Sequence, residues 1–319
     1  MDRGLRGHLR TGSRKTDEAP DDLLLARSPA VLTIGTHALI EEGYAARRLG
    51  LVMIDEQHRF GVAQREALVR KGHYPHVLVL TATPIPRTLG LTLYGDLDIS
   101  VIAQLPAGRG RVRTFVRDVA RLPKVWDFVR AQFRAGRQAY LVYPRIEESQ
   151  RDDLKAVTRA WEQLRAELNP FPVGLLHGRL RSEEKDRVLE DFRRGQVSAL
   201  VTTSVIEVGI DVPNATVMVI EDADAFGLAQ LHQLRGRIGR GAHESFCVLI
   251  ARQLTEEARQ RLAVLEATSD GFRIAEEDLR LRGPGELLGQ QQSGLPSFRF
   301  TDLATDLALV EWARQTARR

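Results

Sequence analysis

The run Leu49 to Ile54 is short and apolar and ends in two adjacent carboxylates, Asp55 and Glu56, followed by Gln57 and His58. A run of this length reads as a strand buried in a parallel sheet. Carboxylates just past its end would stand at the carboxyl edge of that sheet, where nucleotide ligands sit in open α/β folds. One carboxylate there can hold Mg2+ through oxygen, and its neighbour can orient or deprotonate an attacking water. The same residues also describe a strand that ends in a solvated acidic turn. A second run, Leu78–Leu80, leads into Thr81-Ala82-Thr83-Pro84 and then Ile85-Pro86-Arg87-Thr88. Two threonine hydroxyls at a strand tip can donate and accept, although threonine in such a place is commonly a turn former. Within Gln230 to Gly241, the residues Gln233, Gly236, Arg237 and Arg240 fit the pattern Q-x-x-G-R-x-G-R. Glycines there permit close backbone approach, and the arginines can reach a transferring phosphoryl group.

The elements that must position these residues follow from hydrophobic patterning. Apolar runs at Val31–Ile34, Leu49–Ile54, Val77–Leu80, Ala139–Tyr143, Val173–Leu176, Ala199–Val201, Val217–Ile220 and Phe246–Ile250 alternate with amphipathic or polar stretches of helical length. Runs of this kind predict strands buried on both faces of parallel sheets, an α/β fold. Ser182, followed by Glu183 and Glu184 and closing with Arg193, Arg194 and Gly195, carries the charge order and stop signal of a helix. Gln104 to Gly110, with Pro106, Gly108 and Gly110, reads as a linker between two sheet-bearing halves. The expected domains are 1–107, 108–252 and 253–319. In the last of these, Glu256–Thr268 shows helical spacing and the strand pattern has stopped, which predicts a separate, smaller element.

Composition excludes several classes. With 43% hydrophobic residues in 319, the chain can bury more than one core. No run of eighteen apolar residues occurs and residues 1–20 are polar and charged, so a signal peptide and a membrane span are not expected, and the expected location is cytoplasmic. The single cysteine, Cys247, rules out an internal disulfide and makes a cysteine-based zinc site improbable; within Phe246–Ile250 it reads as a small buried hydrophobe. The 46 Lys and Arg against 42 Asp and Glu give a net charge of +4, too little to name a polyanionic partner. Distribution says more, because arginines cluster beside glycines in a manner suited to bidentate phosphate contact.

Taken together and in order, Asp55-Glu56-Gln57-His58, Thr81-Ala82-Thr83-Pro84 and Gln233 to Arg240 resemble motifs II, III and VI of superfamily 2 helicases. The longer strings Ile34–Leu39, Asp55–Gln64, Thr81–Leu89, Val205–Pro213 and Phe226–Arg240 are similar to the RecG family of DNA helicases and to the related transcription-repair coupling factor Mfd. So is the tail, from Asp270–Ala275 through Asp278–Glu286 to Gln292-Ser293-Gly294, which resembles the helical-hairpin translocation motif shared by the two families. Gln57, Pro284 and Tyr143–Ser149 favour RecG over Mfd. The resemblance implies tandem RecA-like parallel-sheet domains, the first one partial, followed by a helical tail. It implies ATP and Mg2+ as cofactors bound between the two domains, with Asp55 serving the metal, Glu56 the water and His58, beside Gln57, the coupling to DNA. Arg237 and Arg240 would be arginine fingers with Gln233 beside them, and Gly209 and Asp211 would join them at the nucleotide. Thr36, His37, Thr81, Thr83, Thr202, Glu207, Arg282 and Gln292 would serve nucleic-acid contact or coupling, although Arg282 could equally be a solvated or ion-paired helix end. Branched or duplex DNA is the implied partner, and a monomeric motor the implied state.

One expected part is missing. The family motor needs a phosphate loop, G-x-x-x-x-G-K-[ST], after a strand, because backbone N–H groups and a lysine must cradle the phosphates. The nearest string, Gly7 to Thr16, fails in spacing and has no apolar strand before it. The sequence therefore leaves open an active subunit that needs another polypeptide, a fragment that hydrolyses nothing alone, an Mfd-like translocase fragment, and a DNA-binding module without catalysis.

Overall fold

A computed structural model describes residues 6–11, 31–41, 44, 48–56, 60–72, 74–81, 98–102, 104, 108–144, 150–203, 211–282, 309, 312, 313, 316 and 317. The calls on Gln57, His58, Thr83, Glu207, Gly209 and Gln292 lie outside the described residues, as does the side chain of Arg282. Contacts divide the chain into two compact units, Met1–Ala82 and Thr83–Arg319.

In the first unit, β1 (Arg6–Arg10) pairs in parallel with β2 (Val31–Gly35), and β3 (Leu51–Ile54) pairs in parallel with β4 (His76–Val79). Helix α1 (Val62–Val69) connects the second pair, and the Gly61 N–H that precedes it donates to Gln64 Oε1 at 3.0 Å. Three strands coincide with expected runs, but the expectation of burial on both faces is corrected here. Val52 and Ile54 are buried, whereas Leu51 and Met53 on the opposite face are half exposed. A two-stranded sheet covered on one side buries only alternate residues. β1 itself was not anticipated, because RGHLR holds a single large apolar residue; its ladder to β2, from Arg6 opposite Val31 to Arg10 opposite Gly35, fixes it through the backbone.

The second unit is built on a six-stranded parallel sheet in the order β5-β10-β9-β6-β8-β7. These strands are β5 (Val112–Asp118), β6 (Gln138–Val142), β7 (Val173–Leu176), β8 (Ala199–Thr202), β9 (Ala215–Ile220) and β10 (Ser245–Ala251). The four central strands are apolar and buried almost throughout. Because successive side chains point to opposite faces, each strand feeds two cores. Ala139, Leu141, Val217 and Val219 pack beneath α2 (Leu122–Arg134) and α3 (Gln150–Glu167). Tyr140, Val142, Met218 and Ile220 pack beneath α4 (Ser182–Arg193), α5 (Leu228–Arg235), α6 (Glu256–Ala267) and α7 (Gly271–Arg282).

α4 occupies the span expected for it: Arg181 N–H donates to Glu184, and Gly195 at φ +75° ends it. β5 was missed for a different reason than β1. At the sheet edge it alternates Val112, Thr114 and Val116 with Arg113, Phe115 and Arg117, so it never forms an apolar run, and both arginines lie over the Phe115 ring. The helices after residue 253 pack onto the same core as Tyr140 and Leu231 through Leu262, Leu265 and Ile274. Among the described residues no helix is long and apolar enough to cross a membrane.

Candidate functional site

Sequence-predicted residues of the first unit collect at the carboxyl ends of its strands. Asp55 and Glu56 follow β3 directly, and the Glu56 N–H donates to Asp55 Oδ1 at 2.9 Å. Glu56 adopts φ +50°, a conformation that costs a non-glycine residue about 1–2 kcal/mol. Asp55 is exposed, whereas Glu56 is half-buried. The Leu80 N–H donates to Ile54 at 2.8 Å, which continues the β3–β4 ladder and brings Thr81 to the same sheet edge as Asp55. Thr36 and His37 follow β2 and are exposed, and the His37 ring stacks on Phe60, four residues past Glu56, with centroids 4.5 Å apart. Among the described residues no group of three or more His, Cys, Asp or Glu could hold a metal by itself. A lone exposed carboxylate suits Mg2+, which keeps several waters and relies on substrate phosphates for the rest of its shell.

The second unit gathers Asp211, Gln233, Arg237 and Arg240. Gln233 lies on α5, and Arg237 and Arg240 follow it in the loop that returns to β10. Arg240 Nη1 stands 3.6 Å from Asp211 Oδ1 and its Nε donates to the Gly236 carbonyl at 3.3 Å. The pair is solvent-accessible and therefore weak, leaving the guanidinium easily recruited by a stronger anion. Gly239 is demanded by geometry: φ is +73°, and a Cβ would lie 2.5 Å from Val112 Cγ2. Thr202, at the end of β8, is fully buried and donates from Oγ1 to the Thr203 carbonyl at 2.9 Å. Its hydroxyl faces inward rather than toward a ligand.

Two neighbours in the same helix escaped the sequence reading. Arg235 is buried, and its Nη1 donates to the carbonyls of Leu265 at 2.8 Å and Thr268 at 2.9 Å, at the carboxyl end of α6. His232 Nδ1 lies 3.2 Å from Arg235 Nη2 and accepts from it. Burial first, then the charges of Arg235 and Arg109, hold His232 down to about 4, so the ring is neutral. Sequence could flag Arg235 only as a third arginine within Leu234–Arg240. Nothing in its spacing separated this buried anchor from the less buried Arg237 and the exposed Arg240.

A second buried ionisable group lies at the switch point of the sheet, where β6 and β9 are neighbours. Glu221 follows β9, its N–H donating to Val142 at 2.9 Å. Burial, aided by the charge of Asp222 and opposed by Arg252, lifts its carboxyl to about 7.

Comparison with known proteins decides the relationship. Residues 120–242 match the family "Helicase conserved C-terminal domain", and residues 268–319 match "ATP-dependent DNA helicase RecG, domain 3, C-terminal". The ATP-dependent DNA helicase RecG of a Synechocystis species is 53% identical over 97% of this chain. The chain belongs to the RecG helicase family. The RecG of Thermotoga maritima is 53% identical over 89% of the chain. A solved structure of RecG bound to a three-way DNA junction is 46% identical over 97% of it, with a TM-score of 0.71. This RecG-family chain spans 37% and 36% of the two relatives and 40% of the solved chain. That likeness agrees with the α/β, RecA-like architecture and the helical tail expected from sequence.

Proposed function

We propose that this chain supplies the magnesium, water-activating and arginine-bearing parts of an ATP-driven DNA translocase that remodels branched DNA. The observation that carries the reading is the loop after α5, where, among the described residues, Arg240 is held by an exposed carboxylate and a carbonyl. In this reading Asp55 holds Mg2+, Glu56 orients the attacking water, and Arg237 and Arg240, with Gln233 beside them, neutralise charge on the transferring phosphoryl group. Mg2+, when held there, would supply charge neutralisation for the phosphates of ATP. Gln57, His58, Thr36, His37, Thr81, Thr83, Glu207, Arg282 and Gln292 couple nucleotide state to DNA, and Gly209 and Asp211 complete the nucleotide contacts. The functional division follows 1–107, 108–252 and 253–319, in a monomeric, cytoplasmic motor.

The sequence contains no G-x-x-x-x-G-K-[ST], which favours a second reading for the chain by itself: DNA binding without turnover. Titration with a fluorescent three-way junction at two salt concentrations, alongside phosphate-release measurements, tests both. Tight junction binding that weakens steeply with salt, with no phosphate release, is expected. DNA-dependent release abolished by Glu56→Gln would show that the chain is a self-sufficient ATPase. Junction binding no tighter than that of linear duplex would overturn the branched-DNA assignment.

A further inference from the structure

The segment that leads into β5 lies against the arginine-bearing loop. Arg109 Nη2 donates to the Gly236 carbonyl at 3.2 Å, the same oxygen that accepts from Arg240 Nε at 3.3 Å. The Gly110 N–H donates to the Gly241 carbonyl at 2.9 Å, and the Ser245 N–H to the Arg111 carbonyl at 2.9 Å. There is no room between the two stretches. A Cβ on Gly110 would collide with the His243 carbonyl oxygen and lie 2.8 Å from that of Gly241, and one on Gly239 would lie 3.2 Å from the Gly110 carbonyl. Just before this docked stretch, Gly108 has φ +83° and open space around it.

We infer that Arg109 is a positioning residue for Arg240, acting through the carbonyl they share; the inference rests on the nucleotide reading above. Gly236 lies at the carboxyl end of α5, where carbonyls carry the negative pole of the helix. A carbonyl oxygen already engaged by one guanidinium holds a second less firmly. With Arg109 present, Arg240 is anchored by the exposed Asp211 and by half of an acceptor, and both yield to a phosphate. Without Arg109 the carbonyl belongs to Arg240 alone, and the side chain is drawn back along the loop.

The test follows the Nε–H resonance of Arg240 by NMR while the chain is titrated with MgATP, comparing the parent with Arg109→Ala and Arg109→Lys. Arg109→Ala should need three- to tenfold more MgATP to shift the Arg240 signal, and its core amide spectrum should be unchanged. Arg109→Lys, which keeps a charged donor, should recover at least half of the loss. Equal responses in parent and Arg109→Ala overturn the role of Arg109 while leaving the nucleotide reading intact. An Arg240 signal that never responds to MgATP in the parent overturns the nucleotide reading, and the role of Arg109 with it.

Discussion

Replacing Arg235 by methionine keeps most of the side chain's volume and removes its guanidinium. Arg235 is only 5% exposed, and its partners among the described residues are two backbone carbonyls, the Thr114 hydroxyl at 3.4 Å and His232. A hydrogen bond from a charged donor contributes about 1.5–3 kcal/mol net, and the negative end of α6 adds up to about 2 kcal/mol in a partly buried setting. Against this stands the cost of burying a cation, several kcal/mol, which is returned when the charge is removed. The balance is decided by what stays behind. The Leu265 and Thr268 carbonyls lose their donor and remain in place, each unsatisfied group costing about 1–3 kcal/mol. A net loss of about 3 kcal/mol is expected, a fall in melting temperature of roughly 6–12 °C for a unit of this size. Arg235→Lys should lose about half as much, because an ammonium can still donate to the two carbonyls but has no second nitrogen for His232 Nδ1. Thermal unfolding by circular dichroism gives the total, and hydrogen exchange at the end of α6 locates it. A methionine variant that melts within 2 °C of the parent would refute the view that this arginine anchors α5 to α6.

Two buried ionisable groups predict opposite pH responses. The folded chain keeps the Glu221 proton to higher pH than the unfolded chain does, so stability falls as pH rises from about 4.5 to about 7, by at most about 3 kcal/mol. Glu221→Gln should melt like the parent at pH 5 and higher than the parent at pH 8; equal melting at both values would exclude the shift. His232 acts the other way, because the unfolded chain takes up the proton first, and stability drops as pH falls from 6.5 to about 4. His232→Gln should flatten that acid limb in the same melting series. The buried Tyr140 hydroxyl has no hydrogen-bond partner among the described residues, so Tyr140→Phe should leave stability unchanged or raise it by about 1 kcal/mol. A loss of that size in urea unfolding would reveal a bond to that hydroxyl.

β6, β8, β9 and β10 were legible because both of their faces are covered and most of their positions are apolar, and β2, β3, β4 and β7 also showed as apolar runs although Leu51, Met53, Val77 and Leu78 are exposed. β5 satisfies its backbone with the same ladder but lies at an edge, where arginines can flank Phe115 in place of a second apolar face. β1 is specified almost entirely by main-chain pairing, which leaves little trace in side-chain pattern. In the candidate site, Asp55, Glu56 and Arg240 were legible because their chemistry is carried by residue type at a strand end or in a glycine-rich loop. The Asp211 contact with Arg240 joins distant segments that only the fold brings together, and local patterning holds no record of it. Arg235 shows the converse, since three arginines close together in sequence have different surroundings.

The pairing of β5 with β10 alone also orders events during synthesis. Residues 112–118 leave the ribosome long before residues 245–251 exist, so the newly made edge must wait, unpartnered, while β6 to β9 assemble beside it. The ladder that joins Ser245 to Val112 is also what lays Arg109–Arg111 against the Gly236–Gly241 loop. A nascent chain stalled short of residue 251 therefore lacks both the ladder that lays Arg109–Arg111 against the Gly236–Gly241 loop and the side chains that β10, α6 and α7 add to the core.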